Sequence, residues 1–375
     1  MRFLMLNWRD PLSPKAGGAE RVSLAHLREL VRRGHEVWWF SYTFEGGAPQ
    51  EMYDGITVVR SGRMFQAVAA ARRWYRQQPR FDLVIDQHHG IPWYAPWWCR
   101  THCIAYIHEV LGPIWNSFYP EPTATIGRWQ ERATHWLYRN VPFWTVCQGT
   151  AEQLRRSGVK QVFVFYNGIH TQALPQLDAK PLVTPLRLIV VSRLAPNKRI
   201  DHAIQTLPIL RQAGLPAQLT IVGGGEDESR LRALVQTLGV GREVHFTGPL
   251  AEADKDAMLR QAHLMLHASV REGWGLNVIE ANAMGTPAVV YPVTGLAEST
   301  IHRQTGLVVE NETPEALAKG VLYFWKHPEE YERCRLAAWE RAKAMHWDRI
   351  LPRTCDWLES MARGERDIKL PEVER

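Results

Sequence analysis

A chain of 375 residues, 45% hydrophobic and 22% charged, is long enough for two domains of ordinary size and too apolar to be a disordered polymer. No run approaches the ~20 apolar residues that span a bilayer, and the opening Met-Arg-Phe-Leu-Met-Leu-Asn turns polar too soon for a signal peptide. The net charge of +6 is concentrated early: residues 1–180 hold 21 Lys and Arg against 14 Asp and Glu, and 11 of the 16 Trp.

Phe3 to Asn7 reads as a short buried strand. A loop with two prolines follows, and Gly17-Gly18 then opens a helix carrying Val22, Leu24, Leu27, Leu30 and Val31 on one side. Gly34 stops the helix before a strand at Val37–Ser41, which makes one β-α-β unit of a parallel sheet. A glycine pair at a helix N-terminus after the first strand can admit a diphosphate against the backbone. The G-x-G-x-x-G fingerprint is absent, which argues against a nicotinamide enzyme.

Ile56–Arg60 is expected to be a strand, and residues 63–80 an amphipathic helix with five arginines that could rest on anionic lipid. Phe81–Asp86 is a buried strand ending near His88 and His89, at the edge where α/β sheets place ligands. Trp93 opens an aromatic run that could meet an acceptor or simply fill core. Cys99 and Cys103 form a lone C-x3-C without a second ligand pair at zinc spacing, so no metal site is expected. The five cysteines, scattered and odd in number, fit reduced thiols in a cytoplasmic protein.

The strand from Cys103 ends in His108-Glu109, and residues 112–122 suggest a mobile loop. Arg128–Tyr138 reads as helix, Phe143–Cys147 as strand, Thr150–Ser157 as a helix capped by Thr150, and Gln161–Tyr166 as the last strand of a first domain, 1–170. Residues 171–185 contain three prolines and little periodicity, as a linker would. A second sheet, 186–345, starts with the apolar run Leu186–Val191. Arg193 and Lys198, five residues apart in the loop behind it, suit a diphosphate: a guanidinium fork and an ammonium point charge.

Gln218–Val222, Val244–Gly248 and Leu264–Ala268 are further strands. Asp254-Lys-Asp256 is formally D-x-D, but acidic residues at a helix start favour the helix dipole, so metal binding is rejected there too. Next comes Glu272-Gly273-Trp274-Gly275-Leu276, with Glu280 one helical turn beyond Leu276. The glycines allow close backbone approach, and the helix from Leu276 turns its free N–H groups towards the loop as an anion seat. Two carboxylates around a phosphate-sized seat suit a nucleotide-sugar, one for the sugar and one for the ribose. Val289–Pro292, Thr294–Glu298 and Thr305 onward are expected to complete the sheet, and residues 346–375 to carry a last helix.

Glu272 to Glu280, together with Arg193-x4-Lys198, resembles retaining glycosyltransferases of the GT-B class, family 4. That resemblance implies two Rossmann-like domains facing across a cleft, with the C-terminal helix returning to the first. It implies a first domain for the acceptor and a second for the donor. By the same resemblance, Arg193, Lys198, Gly17 and Gly18 bind the donor diphosphate, and Glu280 binds ribose. The 273–276 stretch lines the donor, Glu272 meets sugar hydroxyls, and His108 lies beside the sugar.

The implied reaction is metal-independent transfer, without a cofactor, from a UDP- or GDP-sugar to an acceptor hydroxyl. Polysaccharide or glycolipid synthesis follows from the basic first half, with peripheral attachment to the inner face of the cytoplasmic membrane and no nucleic-acid partner. His88, His89 and Trp93 are candidates on the acceptor side. The rivals are a soluble-acceptor sugar synthase, a nucleotide-sugar epimerase of the same fold, and a non-catalytic nucleotide-sugar sensor. Two departures from the family pattern stand out: His170 after Asn167-Gly-Ile in place of Asp, and Cys147-Gln-Gly-Thr150 in place of Ser-x-x-Thr.

Overall fold

The computed structural model describes residues 1–63, 66–88, 91–112 and 115–365. They form two α/β units: Met1–Asn167 with Trp347–Arg375, and Gly168–His346.

The first unit begins β1 (Arg2–Leu6), α1 (Gly18–Arg32), β2 (Glu36–Ser41), β3 (Gln50–Tyr53) and β4 (Ile56–Arg60). It continues α2 (Ala67–Tyr75), β5 (Leu83–Gln87), β6 (His102–Tyr106), α3 (Trp115–Phe118) and α4 (Thr123–Leu137). It then runs through β7 (Phe143–Thr145), α5 (Gln148–Arg156) and β8 (Val162–Val164). The strand order is β3-β4-β2-β1-β5-β6-β7-β8. Only β3 runs antiparallel. It was missed from sequence because Gln50-Glu-Met-Tyr53 has none of the apolar run that marks a buried strand; it is an edge strand with its alternate residues exposed.

The second unit contains β9 (Leu186–Val191), α6 (Ile200–Gln212), β10 (Ala217–Val222), α7 (Glu228–Thr237) and β11 (Val244–Gly248). After these come α8 (Glu252–Gln261), β12 (Leu264–His267), α9 (Leu276–Ala283), β13 (Ala288–Val290) and α10 (Thr294–Ser299). Then follow β14 (Gly306–Val308), α11 (Pro314–Lys326) and α12 (Pro328–Lys343). Its sheet is parallel, in the order β11-β10-β9-β12-β13-β14. Thr294–Ser299, expected as part of that sheet, is helix α10. Gly295 starts it tight against the preceding loop, where a Cβ would come within 2.3 Å of the Glu272 carbonyl oxygen. Residues 171–185 lie with this unit: the Leu174 N–H donates to the Ala283 carbonyl at 3.1 Å, and Lys180 Nζ donates to the Ala262 and Gly285 carbonyls, each at 3.0 Å.

The last helix, α13 (Trp347–Ala362), belongs to the first unit and packs on α1. Trp357 is 1% exposed and its ring meets Trp144, Phe163 and Phe165 at 6.0, 5.1 and 5.0 Å. Burial of a ring that size stabilises the return by roughly 2–3 kcal/mol. Arg33 adds ion pairs to Asp356 at 2.7 Å and Glu359 at 3.0 Å.

At the start of α5 the structure corrects the assigned cap. The N-cap is Cys147, whose sulfur accepts the Thr150 N–H at 3.4 Å, and Thr150 lies inside the first turn. The Cys147 sulfur thus accepts at the cap where the family pattern has a serine.

Candidate functional site

In an open parallel sheet, ligands collect at the C-terminal strand edge where the strand order reverses. In the second unit that point lies between β9 and β12, and the loops behind these two strands bring the predicted charges together. Behind β9 the chain passes Arg193 and makes a single 3-10 turn at Pro196–Lys198. Gly223, at φ +131°, lets the loop after β10 cross this segment: a Cβ there would lie 1.9 Å from the Ser192 carbonyl oxygen. Behind β12 the chain runs from His267 to Gly275, which sits at φ +69° as the N-cap of α9. Asn277 ties the start of α9 to the end of β9 by donating to the Val191 carbonyl at 2.7 Å.

Lys198 Nζ donates to Glu272 Oε1 at 2.5 Å. Ser269 Oγ donates to the same oxygen at 3.3 Å, and His267 Nε2 lies 3.4 Å from it. Burial works against the charge on Glu272, but the Lys198 ammonium and the His267 ring prevail and bring its pKa down to about 2. Arg193 is exposed and makes no ion pair among the described residues, so its guanidinium is available to an anion.

Glu280 is held separately. Its Oε2 pairs with Lys255 Nζ at 3.0 Å, and Lys255 also reaches Glu252. Burial pushes the Glu280 pKa upward and Lys255 opposes it. Lys255, His267 and Ser269 were not found from sequence. Lys255 sits inside the Asp254–Asp256 charge run, which looks like an ordinary solvated helix start. His267 closes an apolar strand and carried no signal beyond its position at the ligand edge.

Trp274 is 2% exposed and lies under the Arg341 guanidinium, 5.7 Å from its ring centre, so its indole faces core. Gly273 and Leu276 are half-buried.

The first unit reverses strand order between β1 and β5, and its chemistry there is different. Asn7 Nδ2 donates to Gln87 Oε1 at 3.1 Å, and the Gln87 amide lies 3.1 Å from His108 Nε2. His108 is 8% exposed and packs on Tyr106 with ring centres 4.7 Å apart. The Gly17 N–H donates to the Glu20 carboxylate at 2.7 Å, and a Cβ on Gly18 would meet nothing within 4 Å, so the space above it is open. Asp10 clamps the preceding loop: it accepts from Arg60 at 2.7 and 2.8 Å and from Ser41 at 2.7 Å.

His88 and Trp93 lie inside the first unit. His88 is 2% exposed with Nδ1 3.4 Å from Asp86, and Trp93 is fully buried, stacked on Trp8 at 4.6 Å. Asp86 draws this run inward by accepting the backbone N–H groups of Trp93 and Ala95 at 3.0 and 3.1 Å. Trp97, 50% exposed, is the aromatic that reaches the surface there. His89 lies outside the described residues. Among the described residues no group of three or more His, Cys, Asp or Glu is arranged to hold a metal ion, and no helix is long and apolar enough to cross a membrane.

The family model described as glycosyl transferases group 1 matches residues 178–341, which include Arg193, Lys198, Glu272 and Glu280. A second, described as glycosyltransferase family 4, matches residues 16–173, which include Gly17, Gly18 and His108. The chain belongs to the group 1 glycosyltransferases. Among the relatives of this glycosyltransferase is a glycogen synthase from Mycobacterium tuberculosis, 29% identical over 412 residues that take in 100% of this chain and 99% of that protein. Sucrose-phosphate synthase from Thermosynechococcus elongatus shares the GT-B fold, with a TM-score of 0.78 at 19% identity over 97% of this chain and 99% of that one. HepE from Anabaena, solved with UDP-glucose, has a TM-score of 0.72 at 18% identity over 96% of this chain and 100% of its own.

Proposed function

We propose that this glycosyltransferase moves a hexosyl group, with retention, from a nucleoside diphosphate sugar to an acceptor hydroxyl in an envelope polysaccharide or glycolipid. UDP is the first base to try and GDP the second; the UDP-glucose bound by HepE supports that order. The observation that carries the reading is the meeting of Lys198 and Glu272 at the switch point of the second sheet. Lys198, Arg193 and the N-terminus of α9 hold the diphosphate and stabilise the charge that grows on it. With three such partners the leaving group needs no divalent ion. Glu272 takes sugar hydroxyls, Glu280 takes ribose hydroxyls, and His108 of the first unit is assigned to the sugar. The bond from the anomeric carbon to the phosphate oxygen breaks with its electron pair on the phosphate. The acceptor oxygen forms the new bond on the same face, and its proton passes to the leaving phosphate.

A soluble glucan as acceptor is the second reading, favoured by the full-length similarity to a protein named glycogen synthase.

The test is turnover with UDP- and GDP-sugars, with and without chelator, and proton NMR of the product's anomeric centre. Retained configuration and chelator-insensitive turnover are expected, as is a loss of about 10²–10³-fold in kcat for Lys198→Ala and Glu272→Ala. An inverted product, or full turnover by both variants, would overturn the assignment.

A further inference from the structure

The basic helix expected over residues 63–80 as the lipid contact spends its apolar side on the core. In α2, Ala67, Ala71 and Tyr75 are buried, and Trp74 packs against Phe40 at 5.3 Å; Arg72 and Arg73, with Arg76 just beyond, turn outward, and Ala69 is the sole exposed apolar residue of the helix. Helix α4 does the opposite. Its inner face is fixed by buried Ala124, Gly127, Glu131 and Thr134, with Glu131 accepting the Leu111 and Gly112 N–H groups at 2.7 Å each. Its outer face leaves Ile126 64%, Trp129 70%, Trp136 62% and Leu137 37% exposed.

We propose that α4 docks this protein on an anionic bilayer, its outer apolar residues entering the headgroup layer and its arginines meeting lipid phosphates. Trp129 and Trp136 are two helical turns apart, about 10 Å along one stripe. A stripe on a convex helix fits a flat interface, whereas a sugar ring needs a recess with polar partners. Trp is also the side chain that settles at the boundary between water and hydrocarbon, since its ring is apolar and its N–H is not. The charge is complementary. Arg132 is exposed and unpaired among the described residues, and the Arg139 guanidinium lies 4.4 Å over the Trp136 ring. The acidic groups of this helix and its approach are occupied, with Glu131 buried and Glu121 tied to Arg128 at 2.9 Å. This docking stands apart from the transfer chemistry, since none of these residues belongs to the donor site.

The experiment is co-sedimentation of the full chain with vesicles of phosphatidylcholine containing about a third phosphatidylglycerol, against phosphatidylcholine alone. Thermal melting and donor-induced melting shifts are recorded in parallel. The wild type is expected to bind the anionic vesicles, more weakly in high salt, with a blue shift in tryptophan emission. The Trp129→Ala/Trp136→Ala double variant should lose at least tenfold in vesicle affinity while its melt and its response to donor stay unchanged. Arg72→Gln/Arg73→Gln should cost no more than threefold. Vesicle binding unaffected by the tryptophan pair, or abolished by the α2 pair instead, would overturn the proposal. So would a dimer in solution that the tryptophan pair disrupts without any vesicle binding by the wild type.

Discussion

The two sheets use their C-terminal edges in opposite ways. In the first unit the charges at that edge are sealed: the side chains of Asp10 and Arg60 are 0% exposed, and Asp86 is 0% exposed with its oxygens taken up by backbone N–H groups and Tyr138. Beside them runs a buried chain without a carboxylate or an ammonium, Asn7–Gln87–His108. In the second unit the side chains of Lys198, Glu272 and Glu280 stay 19–20% exposed; Lys198 pairs with Glu272, which also meets His267 and Ser269, and Glu280 pairs with Lys255. A carboxylate spent on the backbone holds a loop, while one paired to a half-exposed lysine can exchange that partner for a ligand. On the proposed reading the second edge takes the charged donor and the first the acceptor's hydroxyls.

The largest test of this contrast is to break the sealed pair. Arg60→Met leaves the buried Asp10 carboxylate without its guanidinium, at a cost of about 3–5 kcal/mol of stability; Asp10→Asn, which leaves Arg60 its second pair with Glu51, should cost less. Urea unfolding measures it. The comparison requires these variants to lose stability, while Lys198→Ala and Glu272→Ala lose turnover with little change in unfolding midpoint. If the two pairs of variants behaved alike, the division into structural and ligand-binding charges would fall.

A second difference is in acid. In the first unit His26 is wedged edge-on between Trp144 and Trp347, and burial lowers its pKa to about 4; burial lowers that of His135 to about 4 as well. The second unit has His263, lowered by burial to about 4. A folded pKa below the unfolded value of 6.5 means that the unfolded chain binds more protons between these limits. Stability present above pH 6.5 is therefore lost as pH falls towards 4, by roughly 2 kcal/mol per histidine at pH 5. The first unit, with two such residues, should open first, as seen by hydrogen exchange between pH 8 and 5. His26→Gln should flatten that dependence; an unchanged slope would mean that His26 is not its source.

Much of this was legible in the sequence, and unevenly so. Apolar runs marked most strands of both sheets; Glu272 and Glu280 stood out around the glycines at a helix start, and Arg193 and Lys198 as two cations five residues apart behind a buried strand, in a spacing that resembles the family pattern. The misses share a cause: periodicity shows which residues could form an apolar face but not which face gets covered. Trp93 and Trp129 look equivalent in sequence, yet one is stacked in the core and the other stands in water. Nor does the sequence show that α2 turns Ala67, Ala71 and Tyr75 inward while α4 leaves Trp129 and Trp136 exposed. Lys255 was hidden because its partner Glu280 is 25 residues away, and only the packing of α8 on α9 brings them together.

That pairing supplies the smallest and most discriminating prediction. Lys255 is 8% exposed and sits between Glu252 and Glu280, so it holds the Glu280 carboxylate in place and opposes the upward push of burial on its pKa. If Glu280 grips ribose hydroxyls, Lys255→Met should loosen the donor before and during transfer alike. Ground-state and transition-state binding would then fall together, which raises KM without lowering kcat. An increase of about tenfold in donor KM corresponds to roughly 1.4 kcal/mol, the scale of one charge-assisted hydrogen bond. The acceptor KM should not move, because nothing in the first unit's neutral edge depends on this lysine. A fall in kcat with donor KM unchanged would instead place Lys255 with Lys198 and Glu272, and the second unit's two ion pairs would then serve a single step.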